Sequence, residues 1–200
     1  MLPHSAFALR ASADRPADKS LHPSCGLKRD TPINIRPFAT DDAPHVRDLF
    51  IRVNRLLAPP PMKAAFEGYI VTSLKEEIDR IEDYYGDRDG GFWVAVDGDK
   101  VIGMFGLEPS SEVSMELRRM YVDPDARRRG IARKMLQFAE DECRRRNRST
   151  MDLSTSELQG DALSLYRNAG YQLVREEVTV AASNKTLGGG IRRYHFTKPL

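Results

Sequence analysis

From residue 33 onwards, the spacing of apolar residues predicts an ordered series of strands and helices. Recurrence every three or four positions predicts four amphipathic helices, at about 41–56, 63–85, 130–145 and 161–168. Alternating or short apolar runs predict seven strands, at 33–36, 92–96, 101–107, 113–122, 150–154, 171–181 and 192–196. The resulting order, β-α-α-β-β-β-α-β-α-β-β, is typical of a mixed α/β domain.

Two local patterns add topology to this order. The runs 92–96 and 101–107 are joined by Asp-Gly-Asp-Lys, and an Asp-Gly turn between two β-rich runs predicts a hairpin. The helix at 130–145 lies between the strands at 113–122 and 150–154, and a strand, helix and strand of these lengths predict a right-handed crossover between parallel strands.

Residues 1–30 differ from the rest of the chain, because they mix Pro, Ser, Ala and charged residues without periodicity. We interpret them as a disordered tail before a single domain at 31–200. No apolar run approaches the roughly 18 residues of a membrane-spanning helix, and the tail lacks the apolar centre of a secretory signal. Cys25 and Cys143 have no metal-ligand spacing. We therefore expect a cytoplasmic protein without a membrane partner or a metal site.

The charge of the chain is unevenly distributed. The total is +2, from 31 basic and 29 acidic residues, but residues 118–148 hold eleven basic and five acidic ones, a local +6 that leaves −4 elsewhere. The Arg cluster at 144–148 has no interleaved aromatic residues, so we interpret it as a solvated helix end and expect no nucleic-acid partner. The acidic remainder favours a cationic ligand.

The loop between the third strand and its helix is the most informative segment. The strand ends before Pro124, and a run of three Arg at 127–129 leads to Gly130 at the first turn of the helix. Unpaired backbone N–H groups and the helix dipole at such a place suit a phosphate. A capped helix with a solvated Arg face is the alternative. The GxGxxG fingerprint and the Gly-Lys-Ser/Thr of a P-loop are absent from the segment.

The same segment carries a family resemblance. Arg127-x-x-Gly130-x-Ala132 matches the Gln/Arg-x-x-Gly-x-Gly/Ala signature of the GNAT superfamily of N-acetyltransferases. The strand at 117–124 and the ALSLYRNAGY segment at 162–171 also resemble their counterparts in that family. Because the similarity extends in order over roughly 33–198, it implies the family's α/β fold. That fold is a mixed sheet of about seven strands, splayed between strands 4 and 5 and flanked by about four helices.

The resemblance implies acetyl-CoA as co-substrate, with its pyrophosphate held by backbone amides of the loop. The residues implied in binding it are Met120, Tyr121, Val122, Arg127, Arg128, Arg129, Gly130, Ile131, Ala132, Arg133 and Gln159. The family often has Asn where this chain has Gln159, so the longer side chain departs from the pattern.

The resemblance also implies catalytic roles. Glu116 stands where a branch of the family places its general base, and an ordinary strand Glu, paired with Arg118, is the alternative. The Val122 N–H corresponds to the donor that polarises the thioester carbonyl. Tyr166 corresponds to the general acid for the departing thiolate, and a half-buried packing Tyr is its alternative.

Taken together, these expectations describe an acetyl-CoA-dependent N-acetyltransferase without a metal. It would act as a monomer or homodimer on a primary amine of a small molecule or peptide by direct attack. A non-catalytic acyl-CoA-binding or sensing domain is the alternative. Residues 152–159, together with residues 116–122, also resemble the camello-type branch, which acetylates cysteine conjugates or lysines and whose members carry a membrane anchor.

Overall fold

Seven strands and five α-helices follow one another in residues 32–200, the part of the chain that this computed structural model describes. In chain order they are β1 (Asn34–Pro37), α1 (Ala43–Leu57), α2 (Lys63–Glu76), α3 (Ile81–Gly86), β2 (Gly91–Asp97), β3 (Lys100–Pro109), β4 (Ser114–Val122), α4 (Ile131–Arg145), β5 (Thr150–Ser156), α5 (Gly160–Asn168), β6 (Gln172–Thr179) and β7 (Ile191–Pro199). The predicted tail at 1–30 lies outside the described residues, and the domain boundary at 31 stays a prediction.

The strands form one mixed sheet in the order β1-β2-β3-β4-β5-β7-β6. The predicted hairpin is formed by β2 and β3, which pair antiparallel, and the predicted parallel pair is β4 with β5, connected through α4. That parallel pairing covers only Ser114–Leu117 of β4 and Thr150–Leu153 of β5. Beyond these residues the two strands separate, so the predicted splay between strands 4 and 5 is confirmed.

Both faces of the sheet are covered by helices. Along β2, Trp93 and Ala95 pack on one face with α4 and α5, whereas Phe92, Val94 and Val96 pack on the other with α1, α2 and α3. This division follows from the strand period of two, which sends successive side chains to opposite faces. It explains why β2 is apolar throughout rather than alternating.

One predicted helix is wrong in its extent. The periodicity at 63–85 predicts a continuous helix, but α2 ends at Glu76, and a 3₁₀ turn at Ile78–Arg80 precedes α3. Glu77 has a φ of −141° and is fully buried, with its carboxylate directed at two arginines of β4. The non-helical backbone at Glu77 therefore accompanies an inward-facing charge that apolar periodicity does not record.

The other predicted boundaries differ from the observed ones by at most three residues. The largest extension is at the end of β7, which continues to Pro199 and pairs with β5 over seven residues. Within residues 32–200, none of the helices has both the length and the apolar character needed to cross a bilayer.

Candidate functional site

A bulge in β4 changes the direction of two side chains that belong to the site. Gly106 of β3 lies opposite Arg118 and Met104 lies opposite Tyr121, so two residues of β4 occupy the space opposite one residue of β3. Arg119, inside the bulge, has a φ of +53°, which is uncommon for a residue with a side chain. A bulge breaks the alternation of side chains. As a result, two consecutive arginines both reach the interior.

These arginines bind one buried carboxylate. Arg118 Nη2 lies 2.5 Å from Glu77 Oε2, and Arg119 donates to both oxygens of Glu77, at 3.0 and 2.7 Å. The hydroxyl of Tyr85 donates to Glu77 Oε1 at 2.7 Å, while Arg119 Nη1 donates to the hydroxyl of Tyr69 at 2.5 Å. Because all five side chains are buried, the network joins the helical layer to β4.

Close approach at Gly106 makes room for this network. The ring of Tyr85 lies where a Cβ on Gly106 would be, so a larger residue there would displace the ring. Burial raises the pKa of Glu77, but the two guanidinium groups lower it further, to about 2. Glu77 is therefore ionised at neutral pH. Its negative charge compensates the charges of Arg118 and Arg119, which would be very costly to bury without a partner.

Beyond Leu117, where β5 separates from β4, a cleft of about 620 Å³ opens to solvent. Five residues implied by the family resemblance line it: Glu116, Met120, Tyr121, Gln159 and Tyr166. They come from β4, from the segment before α5 and from α5 itself. The splay thus brings together residues that are up to 50 positions apart in the sequence.

The backbone at the end of β4 also faces this opening. The N–H of Asp123 donates to the carbonyl of Ile102 in β3 at 2.9 Å. Because the N–H groups of successive strand residues point to opposite sides, the N–H of Val122 points away from β3, towards the side that β5 has left. This is the orientation that the predicted role of Val122 requires.

The surroundings of Glu116 differ from the predicted alternative. Its carboxylate pairs with Lys185, whose Nζ lies 2.8 Å from Glu116 Oε2. Arg118 pairs with Glu77 and Glu108 instead. The predicted ion pair between Glu116 and Arg118 is therefore wrong. The bulge and the buried partners of Arg118 account for the difference. Glu116 keeps about a fifth of its side chain exposed and remains accessible from the cleft.

Tyr166 is a buried packing residue that also reaches the cleft, and its role as general acid stays a prediction. It packs against Tyr171 and Phe196, with ring centroids at 5.9 and 6.3 Å, and it also lines the cleft. Burial raises the pKa of Tyr166, so the phenol keeps its proton at neutral pH. A protonated hydroxyl at the cleft wall can donate to a developing anion.

Gln159 stabilises the turn before α5. Its Oε1 accepts a hydrogen bond from the hydroxyl of Thr155 at 2.8 Å. Its side chain lines the cleft as well as a second cavity of about 360 Å³, whose walls include Phe66, Leu187 and Arg193. Gln159 is thus held between the two cavities.

The basic loop is the other part of the candidate site, and its residues do not line the cleft. Arg128 and Gly130 have φ values of +63° and +74°, and the N–H of Lys134 is the first in α4 to donate to a backbone carbonyl of the described residues. The preceding N–H groups, from Arg128 to Arg133, have no such partner among residues 32–200. The position of a Cβ on Gly130 is open space.

This loop fits a pyrophosphate. Free N–H groups at a helix start, three exposed arginines and an uncovered glycine are the donors and the access that such an anion needs. Arg129 also pairs with Asp97 at 2.8 Å, which anchors the loop to the β2–β3 turn.

Several residues of the site have no counterpart in the sequence predictions. They are Tyr69, Glu77, Glu108, Lys185 and Arg193, from four separate segments of the chain. The consecutive arginines in the middle of a strand with apolar residues on both sides of them were the available signal, because buried arginines require acidic partners. Nothing in the sequence indicated which acids those would be.

Comparison with known proteins agrees with this geometry. Residues 58–171, more than half of the chain, match the sequence model of the acetyltransferase (GNAT) family. N-acetyltransferase 8F1 of Rattus norvegicus is 34% identical over 127 residues, which cover 59% of this chain and 54% of the relative. N-acetyltransferase 8 of Homo sapiens is 34% identical over 120 residues, covering 55% and 51%. The chain thus spans about half the length of these curated relatives.

A solved structure extends the comparison to the fold. The PaiA N-acetyltransferase of Thermoplasma acidophilum, in complex with coenzyme A, superposes with a TM-score of 0.66 over 84% of this chain and 99% of its own, at 17% identity. This likeness concerns the fold alone. Together with the match of the family model over most of the domain, it leads to one conclusion. The chain belongs to the GNAT family of acetyltransferases.

Proposed function

We propose that this protein is an acetyl-CoA-dependent N-acetyltransferase that transfers the acetyl group directly to a primary amine. The observation that carries the proposal is the cleft between β4 and β5, where Glu116 and Tyr166 line the same space. A proton acceptor and a proton donor in one cleft suit a transfer that removes a proton from an amine and returns one to a thiolate.

On the donor side, the backbone N–H groups of residues 128–133 would hold the pyrophosphate of acetyl-CoA. Arg127, Arg128 and Arg133 would add charge to that contact, and Gly130 would allow close approach. The edge of β4 at Met120–Val122, which lacks a pairing strand on the β5 side, would face the pantetheine arm. Gln159 would close the other side of this channel.

At the reacting end, bound acetyl-CoA supplies an activated acyl group. The N–H of Val122 would donate to the thioester oxygen, and a donor so placed is typically worth about 10²–10³ in rate. Glu116 would accept the proton of the acceptor ammonium. Tyr166 would give its proton to the leaving sulfur, a contribution of about 10²–10⁴. All three groups belong to β4 or α5, and both elements contribute residues to the cleft.

On the acceptor side, Glu116 lines the cleft, and the buried carboxylate of Glu108 shares the ammonium of Lys185 with it. Glu108 and Glu116 lie on paired strands, directly opposite each other in the β3–β4 register. A primary amine, which is cationic at neutral pH, would bind Glu116 in place of the ammonium of Lys185.

The activity is tested first by binding and turnover. Calorimetry with acetyl-CoA and with coenzyme A, followed by thiol-release assays over small amines, amino acids and peptides, should show binding of both and turnover of at least one acceptor. Failure to bind either coenzyme would refute the proposal. Binding without thiol release from any acceptor would favour an acyl-CoA-sensing domain.

The role of Tyr166 is tested by Tyr166→Phe. We expect kcat to fall about 10²–10⁴-fold with acetyl-CoA affinity unchanged, because only the proton donor is lost. Tyr194→Phe, which removes the same oxygen from a residue of β7 outside the cleft lining, is the matched control and should keep wild-type kcat. Equal kcat values for the two variants would remove Tyr166 from the mechanism.

A further inference from the structure

The connection between β6 and β7 forms a tight turn at Ser183–Thr186. The N–H of Ser183 donates to the carbonyl of Thr186 at 2.9 Å, and the hydroxyl of Ser183 accepts from the N–H groups of Lys185 and Thr186 at 3.1 Å each. The hydroxyl oxygens of Ser183 and Thr186 are 3.0 Å apart. These bonds give the turn a defined shape, with Lys185 at its tip.

Two arginines, the buried Arg119 and the half-buried Arg193, attach this turn to the site. Arg119 Nη2 donates to the carbonyl of Asn184 at 2.6 Å, and Arg193 Nη1 donates to the carbonyl of Lys185 at 2.5 Å. Arg119 is held in turn by Glu77. The backbone of Lys185 is thus fixed relative to β4 by contacts that do not involve its own side chain.

The side chain of Lys185 reaches into the cleft between the two carboxylates. Its Nζ lies 2.8 Å from Glu116 Oε2 and 2.9 Å from Glu108 Oε1. Lys185 lines the same cleft as Tyr166 and Gln159. An external acceptor that gave its proton to Glu116 would have to place its nitrogen within hydrogen-bond reach of the same carboxylate. The ammonium of Lys185 already occupies that position.

We propose that Lys185 is a site of intramolecular self-acetylation, in which the chain's own lysine takes the place of the acceptor amine. This inference rests on the proposed function, because the acetyl donor is acetyl-CoA bound at the loop of residues 127–133. The turn at Ser183–Thr186 acts as a built-in acceptor segment that competes with external amines for Glu116.

The step balances with the groups already named. Lys185 Nζ gives one proton to Glu116 and forms a bond to the acetyl carbon, while the bond from that carbon to sulfur breaks. Tyr166 gives its proton to the sulfur, so coenzyme A leaves as the thiol, and Tyr166 recovers a proton from the new amide nitrogen. Glu116 then releases its proton to solvent. The products are N-acetyl-Lys185, coenzyme A and one proton.

Glu116 is needed for this step because Lys185 is held in its charged form. Burial lowers the pKa of Lys185, but its bonds to Glu116 and Glu108 raise it further, to above the ordinary value. After acetylation the nitrogen is neutral, and both ion pairs are lost. Glu108, whose side chain is 8% exposed, then keeps only Arg118 as a cationic partner among the described residues. The turn should therefore be held less tightly after modification.

The test uses the full chain incubated with isotopically labelled acetyl-CoA and no acceptor, followed by peptide mapping at successive times. We expect acetylation at Lys185 about 100-fold faster than at Lys75, an exposed lysine of α2 outside the cleft lining, since positioning in the site replaces a bimolecular encounter. The first-order rate should be the same over a tenfold range of protein concentration. Lys185→Arg should abolish the fast phase, whereas the matched variant Lys75→Arg should retain it.

Glu116→Gln separates enzymatic transfer from spontaneous acetylation. It should slow modification of Lys185 about 100-fold without changing acetyl-CoA affinity, because the proton acceptor is lost and the phosphate loop is intact. Equal labelling of Lys185 in this variant and in the wild type would refute the proposal.

The remaining outcomes distinguish this inference from the proposed function. If the chain binds acetyl-CoA and turns over an external amine, but Lys185 is labelled no faster than Lys75, self-acetylation is refuted and the acetyltransferase stands. A rate that rises in proportion to protein concentration would mean transfer between molecules and would also refute it. If acetyl-CoA does not bind at all, both proposals fail together.

Discussion

The donor side and the acceptor side of the candidate site are built in different ways. The proposed phosphate-binding part of the donor side is one continuous segment, residues 127–133, with backbone N–H groups that lack partners among residues 32–200 and with exposed arginines. The acceptor side combines Glu77, Glu108, Arg119 and Lys185, which are far apart in the sequence and held by ion pairs. The Glu77 pairs at its centre are buried.

Because of this difference, we expect substitutions on the two sides to change different properties of the protein. An exposed loop that binds through its backbone can change without disturbing the core, since its groups are solvated in the free protein. A buried ionic network cannot, because each charge depends on its partner for compensation. We therefore expect changes on the acceptor side to reduce folding stability, and changes on the donor side to reduce mainly coenzyme affinity.

The strongest test of this comparison is Glu77→Ala. It leaves Arg118 and Arg119 without their shared carboxylate, and we expect the free energy of unfolding to fall by about 3–5 kcal/mol, as for other buried pairs that lose one member. Urea unfolding followed by circular dichroism measures the change. Glu67→Ala, which removes an exposed carboxylate paired with Arg55, should leave the midpoint nearly unchanged. Similar midpoints for both variants would contradict the stabilising role of the network.

Acid should act on the same network with a somewhat smaller effect. The pKa of Glu77 is lowered from 4.5 to about 2 by Arg119 and Arg118, against the opposing effect of burial. A lowered folded-state pKa contributes stability above the unfolded-state value, and this contribution disappears as pH falls towards about 2. The difference corresponds to about 3 kcal/mol. Unfolding free energies measured between pH 6 and about 2 should decline less steeply in Glu77→Gln. Parallel curves would exclude Glu77 as a source of the decline.

The smallest expected effect is on the donor side, with Gly130→Ala. Its φ of +74° should cost about 1–2 kcal/mol for a residue with a Cβ. The added methyl group would also lie where the pyrophosphate approaches, so acetyl-CoA affinity should fall about tenfold, or about 1.4 kcal/mol. Gly98→Ala is the matched control. Gly98 has a φ of +60°, its Cβ position is open, and it lies in the β2–β3 turn.

These two variants sharpen the comparison when calorimetry and unfolding are measured on both. Equal losses of stability, with weaker acetyl-CoA binding only in Gly130→Ala, would place the affinity change at the loop. If Gly98→Ala weakened binding to the same extent, the effect would come from backbone strain in general, and the loop would lose its proposed role.

Local patterns predicted the elements well where one interaction dominates. The hairpin of β2 and β3 follows from an Asp-Gly turn between apolar runs, and α4 from apolar residues that recur every three or four positions and mostly lie in the core. The helix predicted at 63–85 failed at Glu77, because a buried ion pair formed with a strand about 40 residues later overrides the local preference. Periodicity cannot reveal such a partner.

In the candidate site too, the sequence named individual residues but not their distant partners. Glu116, Gln159 and Tyr166 were named through a family resemblance, and the structure brings them to one cleft. The partner of Glu116 could not be named from the sequence. Lys185 lies 69 residues later in a connection between strands, and only the pairing of β7 with both β5 and β6 carries it back to β4.

The sequence by itself determined what short-range physics controls in this protein: the order of the elements, the hairpin turn, the parallel crossover and the basic, glycine-containing loop before α4. The tertiary structure decided where charges meet. The bulge at Arg119, the carboxylate shared by two arginines and the lysine placed between Glu108 and Glu116 all depend on contacts between segments distant in the chain. Buried charges select partners by spatial proximity and desolvation, and neither quantity exists until the sheet and its helical layers have assembled.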